Sequence, residues 1–306
     1  MTDMFGLYQK CLCCPRGCGV DRDAGERGFC GETAALRVAA AVLHRGEEPP
    51  LMGKGGSGAV FIAGCSLGCA FCQNYQISKG GLGRAVSVDE FAGICLALRD
   101  RGAENINIVT GSHAVPAITR GIAAARSAGL ALPVLWNSSA YESLSALAML
   151  KDHVDIYLPD LKTLDGGLAA KWFGAPDYPE TAATAIRAMI AVRPGKVIVR
   201  HLILPGFLDC TRTVLRWFAG HAKGGALLSL MTQYTPVPQS CGQTDGVPSR
   251  FLSEAEYETV IGWLEEFGIE DGFCQEPVPG GGLLPDFNRP NPFPPGLSVP
   301  VWHWKR

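Results

Sequence analysis

Three cysteines, Cys65, Cys69 and Cys72, stand within eight residues of one another. They lie in the run Gly64-Cys65-Ser66-Leu67-Gly68-Cys69-Ala70-Phe71-Cys72-Gln73-Asn74-Tyr75, directly after the apolar stretch Ala59-Val60-Phe61-Ile62-Ala63. Three thiolates on one tight loop can hold three irons of a four-iron cluster, and no fourth cysteine in that loop closes off the last iron. An open iron is a place to bind a further molecule. Zinc knuckles present ligands in pairs and need a fourth donor, and disulfides need an even number of cysteines, so neither suits the triplet.

A second cysteine group opens the chain, in Cys11-Leu12-Cys13-Cys14-Pro15-Arg16-Gly17-Cys18 and Gly28-Phe29-Cys30-Gly31. Cys11, Cys14, Cys18 and Cys30, with Cys13 spare, can supply four thiolates. Tetrahedral zinc in a small structural knuckle and an auxiliary iron–sulfur cluster acting as an electron relay both fit that spacing. Cys95, Cys210, Cys241 and Cys274 are isolated and read as small buried apolar residues.

The 306 residues, 47% of them apolar, can build one large core or two ordinary ones. A net charge of −2 gives no basic face for nucleic acid. No basic leader precedes an apolar core, and no apolar run approaches the ~20 residues of a membrane span. A cytoplasmic protein is the expectation. Twelve cysteines in a reducing compartment read as metal ligands rather than disulfides, and open iron–sulfur chemistry suits an anaerobic setting.

The elements that must position the triplet follow from the apolar pattern. Residues 1–50 form a cysteine-rich segment with a core too small to stand on packing alone. Between residues 51 and 245, short apolar runs at 58–64, 105–110, 132–136, 154–158, 197–204 and 226–231 alternate with helical stretches, as in βα units with a parallel sheet. Ser87-Val88-Asp89-Glu90 and Ser253-Glu254-Ala255-Glu256 read as capping boxes. Six such units predict an α/β fold, an incomplete (β/α)6 barrel with its site at the carboxyl ends of the strands, where the cysteine loop falls. Gly53-Lys54-Gly55-Gly56-Ser57-Gly58 precedes a strand and is therefore no phosphate loop. Residues 246–306 read as a helix and a wrapping tail. The last thirty residues carry eight prolines with Gly280-Gly281-Gly282 and Trp302-His303-Trp304, which predicts no regular structure there.

Some polar residues at strand ends could serve the site. Asp160 and Lys162, two apart, share one face, whereas the adjacent Arg200 and His201 face opposite ways. Asn137, Ser138 and Ser139 follow the third strand, where Ser139 is equally suited to cap a helix. His113 is a loop histidine beside the same region, and Gln233 and Tyr234 could line the far end.

Cys-x3-Cys-x2-Cys with an aromatic before the third cysteine resembles the radical S-adenosylmethionine superfamily. The resemblance implies a partial TIM-type barrel and a 4Fe-4S cluster on Cys65, Cys69 and Cys72. It also implies S-adenosylmethionine chelated at the open iron, and reductive cleavage to a 5′-deoxyadenosyl radical that abstracts hydrogen. Over residues 58–240 the chain is similar to the branch typified by pyruvate formate-lyase-activating enzyme. Val154-Asp155-Ile156-Tyr157-Leu158-Pro159-Asp160-Leu161-Lys162 matches its Asp-Leu-Lys strand. Val197-Ile198-Val199-Arg200-His201-Leu202-Ile203-Leu204-Pro205-Gly206 matches the strand that contributes an arginine, and Ser229-Leu230-Met231-Thr232-Gln233-Tyr234-Thr235-Pro236 the last barrel strand.

The cysteine-rich N-terminus is similar to a PflX-like subgroup. That branch carries Gly-Gly-Glu after its second strand to hold the methionine amino group, where this chain has Val109-Thr110-Gly111-Ser112-His113. The amine would then meet backbone carbonyls, Thr110 or Ser112. The resemblance thus assigns Asp160, Lys162 and Arg200 to the cofactor, and the reading of the residues themselves adds Thr110, Gly111, Ser112, His113, Asn137 and Ser139. It implies reduced ferredoxin or flavodoxin as electron donor and a glycyl radical enzyme as substrate. A maturase acting on another protein or a metabolite is the alternative within the enzymes, and a non-catalytic iron–sulfur electron-transfer protein the alternative outside them.

Overall fold

The computed structural model describes residues 6–238, 246–277 and 284–306, so Cys241 and Gly280-Gly281-Gly282 fall outside the described residues. The first strand, β1 (Arg37–His44), is buried along most of its length and runs antiparallel to β2 (Ser57–Ile62). The short helix α1 (Pro49–Met52) lies between them. After the cysteine loop come α2 (Tyr75–Ser78), β3 (Arg84–Ala85) and α3 (Val88–Asp100). Both expected capping boxes are present, Ser87 with Glu90 on α3 and Ser253 with Glu256 on a later helix.

From β2 onward the chain builds βα units. β4 (Ile106–Val109), β5 (Val134–Ser138) and β6 (Ile156–Pro159) extend β2 in parallel. The helices α4 (Val115–Ser127), α5 (Leu144–Leu150), α6 (Gly166–Phe173) and α7 (Tyr178–Val192) connect and cover them. Two parallel bridges, Tyr157 to Val197 and Asp160 to Arg200, carry the curve on to β7 (Ile198–Leu202). Then follow α8 (Leu208–His221), β8 (Leu227–Met231), α9 (Glu254–Glu266) and β9 (Gly272–Cys274), with β7, β8 and β9 again parallel. All six expected parallel strands are therefore present in a partial barrel, and β9 continues it.

The tail departs from expectation. Ser298–His303 forms β10, antiparallel to β1. Its Pro300 has no N–H to give, yet β10 lies at the sheet edge and its register slips beside Val42, where a missing donor is tolerated. Phe287 and Phe293 pack on Phe61, which ties the tail to β2. Among the described residues no helix is long and apolar enough to cross a membrane.

Candidate active site

The cysteine loop leaves the carboxyl end of β2 through Gly64. At φ 81°, Gly64 takes a conformation that side chains resist, and a Cβ there would stand 2.4 Å from Glu32 Cγ and 2.9 Å from the Cys30 carbonyl. The loop is thus pinned against the N-terminal segment. The Cys65 sulfur accepts the N–H groups of Leu67 and Gly68, each at 3.4 Å, and Ser78 Oγ donates to the Cys72 sulfur at 3.5 Å. Phe71 is buried edge-on against Trp172, Phe173 and Tyr234. Burial pushes the Cys69 and Cys72 thiols up, so an added cation is what would make them thiolates.

Cys65, Cys69 and Cys72 open into a cavity of about 320 Å³ that runs down the lumen of the partial barrel. Thr110, Asn137, Ser138, Ser139, Asp160, Lys162, Arg200 and Gln233 also line it. Lys162 Nζ lies 2.7 Å from Asp160 Oδ2, so these two side chains share a face as their spacing requires. Burial alone would lower the Lys162 ammonium, but Asp160 and the nearby Cys69 hold it above its ordinary range. Tyr178 fixes the pair: its hydroxyl accepts the Lys162 N–H at 2.9 Å and donates to the carbonyl of Asp160 or of Ser139. Ser139 faces the cavity and does not cap a helix; Ser143 caps α5.

Beside this pair, on the strand bridged to Asp160, Arg200 Nε donates to Glu48 Oε1 at 2.8 Å, and Arg200 Nη2 reaches both Glu47 and Glu48. Burial disfavours the guanidinium charge, but the two carboxylates hold it above its usual range and Arg200 holds Glu48 below the usual carboxylate range. His44 stands 3.5 Å from Glu47, and Asn107 Nδ2 donates to Glu47 at 3.0 Å. From the level of Asp160 this cluster reaches down toward the amino end of the barrel, where His44 pairs with Ser57 at the start of β2, and it forms the cavity floor. His201 points away from the lumen, bonded to the Leu161 carbonyl and Thr211 Oγ1.

Three assigned residues need correction. Gly111, Ser112 and His113 do not line the cavity. Gly111 packs under Trp136, where a Cβ would come within 2.4 Å of the indole. Ser112 Oγ donates to buried Glu142 at 2.7 Å, beside the Trp136 indole N–H on the same carboxylate. His113 Nε2 bonds the Ala63 carbonyl at 2.9 Å, and burial pushes its imidazole down to about 3. Of that loop, Thr110 alone faces the lumen, at φ 66°. Glu47, Glu48, His44 and Tyr178 went unread in the sequence. The pair Glu47-Glu48 just ahead of Pro49-Pro50 was the available signal. Among the isolated cysteines, Cys95 is buried as expected, whereas Cys210 is half-buried against Thr163 and Cys274 is exposed.

The N-terminal segment packs directly on this rim. Arg16 donates to the carbonyls of Ser66, Leu67, Phe173 and Gly174, and its guanidinium lies 3.7 Å above the Phe29 ring. Arg22, 2% exposed, donates to the His113 carbonyl at 2.6 Å and to Cys11 Sγ at 3.7 Å. Among the described residues, no three His, Cys, Asp or Glu side chains are gathered as a single metal ion requires.

The family profile of the Radical SAM superfamily matches residues 59–218, from β2 into α8 and across the cysteine loop and its cavity. This chain belongs to the radical SAM superfamily. An uncharacterized protein of Methanocaldococcus jannaschii, MJ0674, is 27% identical over 271 residues, covering 86% of this chain and 77% of that protein. Among solved structures, a radical SAM methyltransferase from Sphaerobacter thermophilus aligns with a TM-score of 0.54 at 16% identity, over 72% of this chain and 66% of that one. SuiB of Streptococcus suis aligns with a TM-score of 0.52 at 12% identity, over 69% of this chain. The chain spans 47% of the length of SuiB, and both likenesses concern the fold alone.

Membership in the radical SAM superfamily implies a 4Fe-4S cluster and S-adenosylmethionine, and this chain's residues fit both. Three thiols with N–H and hydroxyl donors at two of their sulfurs open on one cavity. A lysine, an aspartate and the polar ends of β4 and β5 stand beside them, groups suited to a zwitterion and a ribose.

Proposed function

We propose that this radical SAM enzyme binds S-adenosylmethionine against Cys65, Cys69 and Cys72 and abstracts hydrogen from a glycine of a glycyl radical enzyme. The observation that carries the reading is the single lumen joining the three thiols to Asp160 and Lys162. The glycine as substrate is supported by the order of the Asp160-Leu161-Lys162, Arg200 and Pro205-Gly206 motifs along the strands. When bound, the cluster and S-adenosylmethionine supply a 5′-deoxyadenosyl radical by one-electron cleavage of the sulfonium.

The chain's own residues orient and enclose. The Lys162 ammonium, kept charged by Asp160, would hold the carboxylate of the methionine moiety. Asn137 and Ser139 would meet the ribose hydroxyls, and the backbone of Thr110 would take the amine. Phe71 and its aromatic neighbours exclude water from the thiols. Reduced ferredoxin or flavodoxin supplies the electron in an oxygen-poor cytoplasm. Cys11, Cys14, Cys18 and Cys30 form a second metal place, for zinc or an auxiliary iron–sulfur cluster.

The test is anaerobic reconstitution, reduction with dithionite and addition of S-adenosylmethionine. Wild type is expected to release 5′-deoxyadenosine and Cys69→Ala none; no nucleoside from a fully loaded, reducible wild type would overturn the enzyme reading. For the substrate, a glycyl radical enzyme deuterated at glycine Cα is expected to pass deuterium into the 5′-deoxyadenosine. Unlabelled nucleoside would point instead to a maturase acting elsewhere.

A further inference from the structure

The floor of the lumen closes the barrel below and is acidic above. Three carboxylates, Glu47, Glu48 and Asp160, line the cavity against two cations, Lys162 and Arg200. Asp160 takes Lys162 at 2.7 Å, so Arg200 alone serves both Glu47 and Glu48. His44, 3.5 Å from Glu47, supplies no second cation, because burial holds its imidazole below the ordinary range. S-adenosylmethionine and an oxidised cluster on three thiolates leave the balance where it is, since their net charges cancel. One negative charge therefore remains, among side chains of which Glu47 is 10% and Glu48 6% exposed. A charge placed so deep is costly until it is paired.

The hydrogen bonds show the same surplus. Asn107, fully buried beside Glu47, gives its Nδ2 to that carboxylate at 3.0 Å, while among the described residues its Oδ1 meets no donor. Gln275 lines the cavity too, and its buried Oε1 is equally without a donor among the described residues. What the lumen lacks is N–H donors and positive charge together. A neutral ligand supplies no charge, and an anion supplies neither.

The wall beside Glu47 is apolar. Phe61 of β2 and Phe293 of the tail line the cavity with ring centroids 5.3 Å apart, and Leu297 lies on the same wall. His44 joins wall to floor, edge-on to Phe293 at 4.9 Å and next to Glu47. Aromatic faces attract a cation and also accept an alkyl stem.

Resting on the radical SAM reading above, we infer that Glu47, with Phe61 and Phe293, seats a cationic group of the substrate, an ammonium or guanidinium on an apolar stem. Lysine and arginine side chains of a polypeptide and free alkylamines share that chemistry. Rim and floor then divide the lumen: Asp160 and Lys162 serve the cofactor, and Glu47 orients the substrate below it.

The test uses the anaerobically reconstituted chain holding S-adenosylmethionine, without reductant, and measures binding by saturation-transfer NMR. n-Butylammonium or butylguanidinium is expected to bind about tenfold or more tightly than 1-butanol, and Glu47→Gln to weaken the cation about tenfold or more with the affinity for S-adenosylmethionine unchanged. Equal binding of cation and alcohol would overturn the inference. So would a loss of S-adenosylmethionine affinity matching the loss of the cation, because Glu47 would then belong to the cofactor. Should Glu47→Gln fail to fold, the comparison of cation with alcohol in wild type decides alone. N-acetyl-Gly-Lys-Gly-amide against free lysine separates the sources: tighter binding of the peptide supports a polypeptide substrate and tighter binding of lysine a free amine, whereas binding of neither overturns the seat. Dithionite-driven 5′-deoxyadenosine formation by wild type tests the enzyme reading separately, since binding needs no radical.

Discussion

The two charged clusters in the lumen are built differently. At the rim, Lys162 pairs with Asp160, two residues away on the same strand end, next to Cys69. At the floor, Arg200, bridged by its backbone to Asp160, turns its side chain instead to Glu48 and Glu47 from 152 and 153 residues away. The rim pair is about one-fifth exposed, with side-chain exposures of 19% and 22%, whereas the floor side chains are 6–10% exposed. Exposure toward the thiols leaves the rim pair available to a ligand. The floor charges are largely spent on one another, so the floor acts as a structural plug, although Arg200, Glu47 and Glu48 all line the cavity.

Breaking the floor should give the largest change in stability. Arg200→Met leaves two buried carboxylates without their cation, which costs about 3–5 kcal/mol; urea unfolding should show it, and adding Glu48→Gln should recover part of the loss. Lys162→Met at the rim should cost less in the same assay, because Asp160 keeps some contact with water, yet lower 5′-deoxyadenosine formation about tenfold or more through lost orientation. Equal stability losses at both ends would erase the distinction drawn between plug and site.

A pH series sharpens the comparison on the back of the floor strand. Burial pushes His201 from 6.5 down to about 4. The unfolded chain therefore takes up a proton that the folded chain refuses, and stability falls as the pH drops from 6.5 toward 4. The ceiling of that loss is on the order of 3 kcal/mol. In His201→Gln the slope over this window should be shallower, with buried His113 supplying part of what remains. Away from both clusters, in the loop after β4, Gly111→Ala drives a methyl into Trp136 and should cost about 1–3 kcal/mol, read as a lower melting temperature.

Much of the barrel was legible because it rests on local rules. Alternating βα runs, both capping boxes and the failed phosphate loop followed from nearest-neighbour chemistry, and Lys54 and Gly55 indeed donate their N–H groups to Glu104 rather than cradle a ligand. β1 escaped notice because Arg37–His44 is alanine-rich and buried on both faces, so no alternation marks it. β10 escaped because its proline argues against a strand unless the strand is known to lie at an edge.

Within the site, the same division holds. Cys65, Cys69 and Cys72, the shared face of Asp160 and Lys162, and the opposite facing of Arg200 and His201 were fixed by spacing, because loop length and the two-residue period of a strand act over a few bonds. Which neighbours meet them was decided by the fold. Ser112 and His113 sat in the right loop, but Glu142 and the Ala63 carbonyl claimed them. Glu47 and Glu48 came to Arg200 only when antiparallel β1 returned the chain to the amino end of the barrel. Spacing along a chain sets which side chains share a face; a long-range partner exists only once packing has brought two distant segments within a few ångströms.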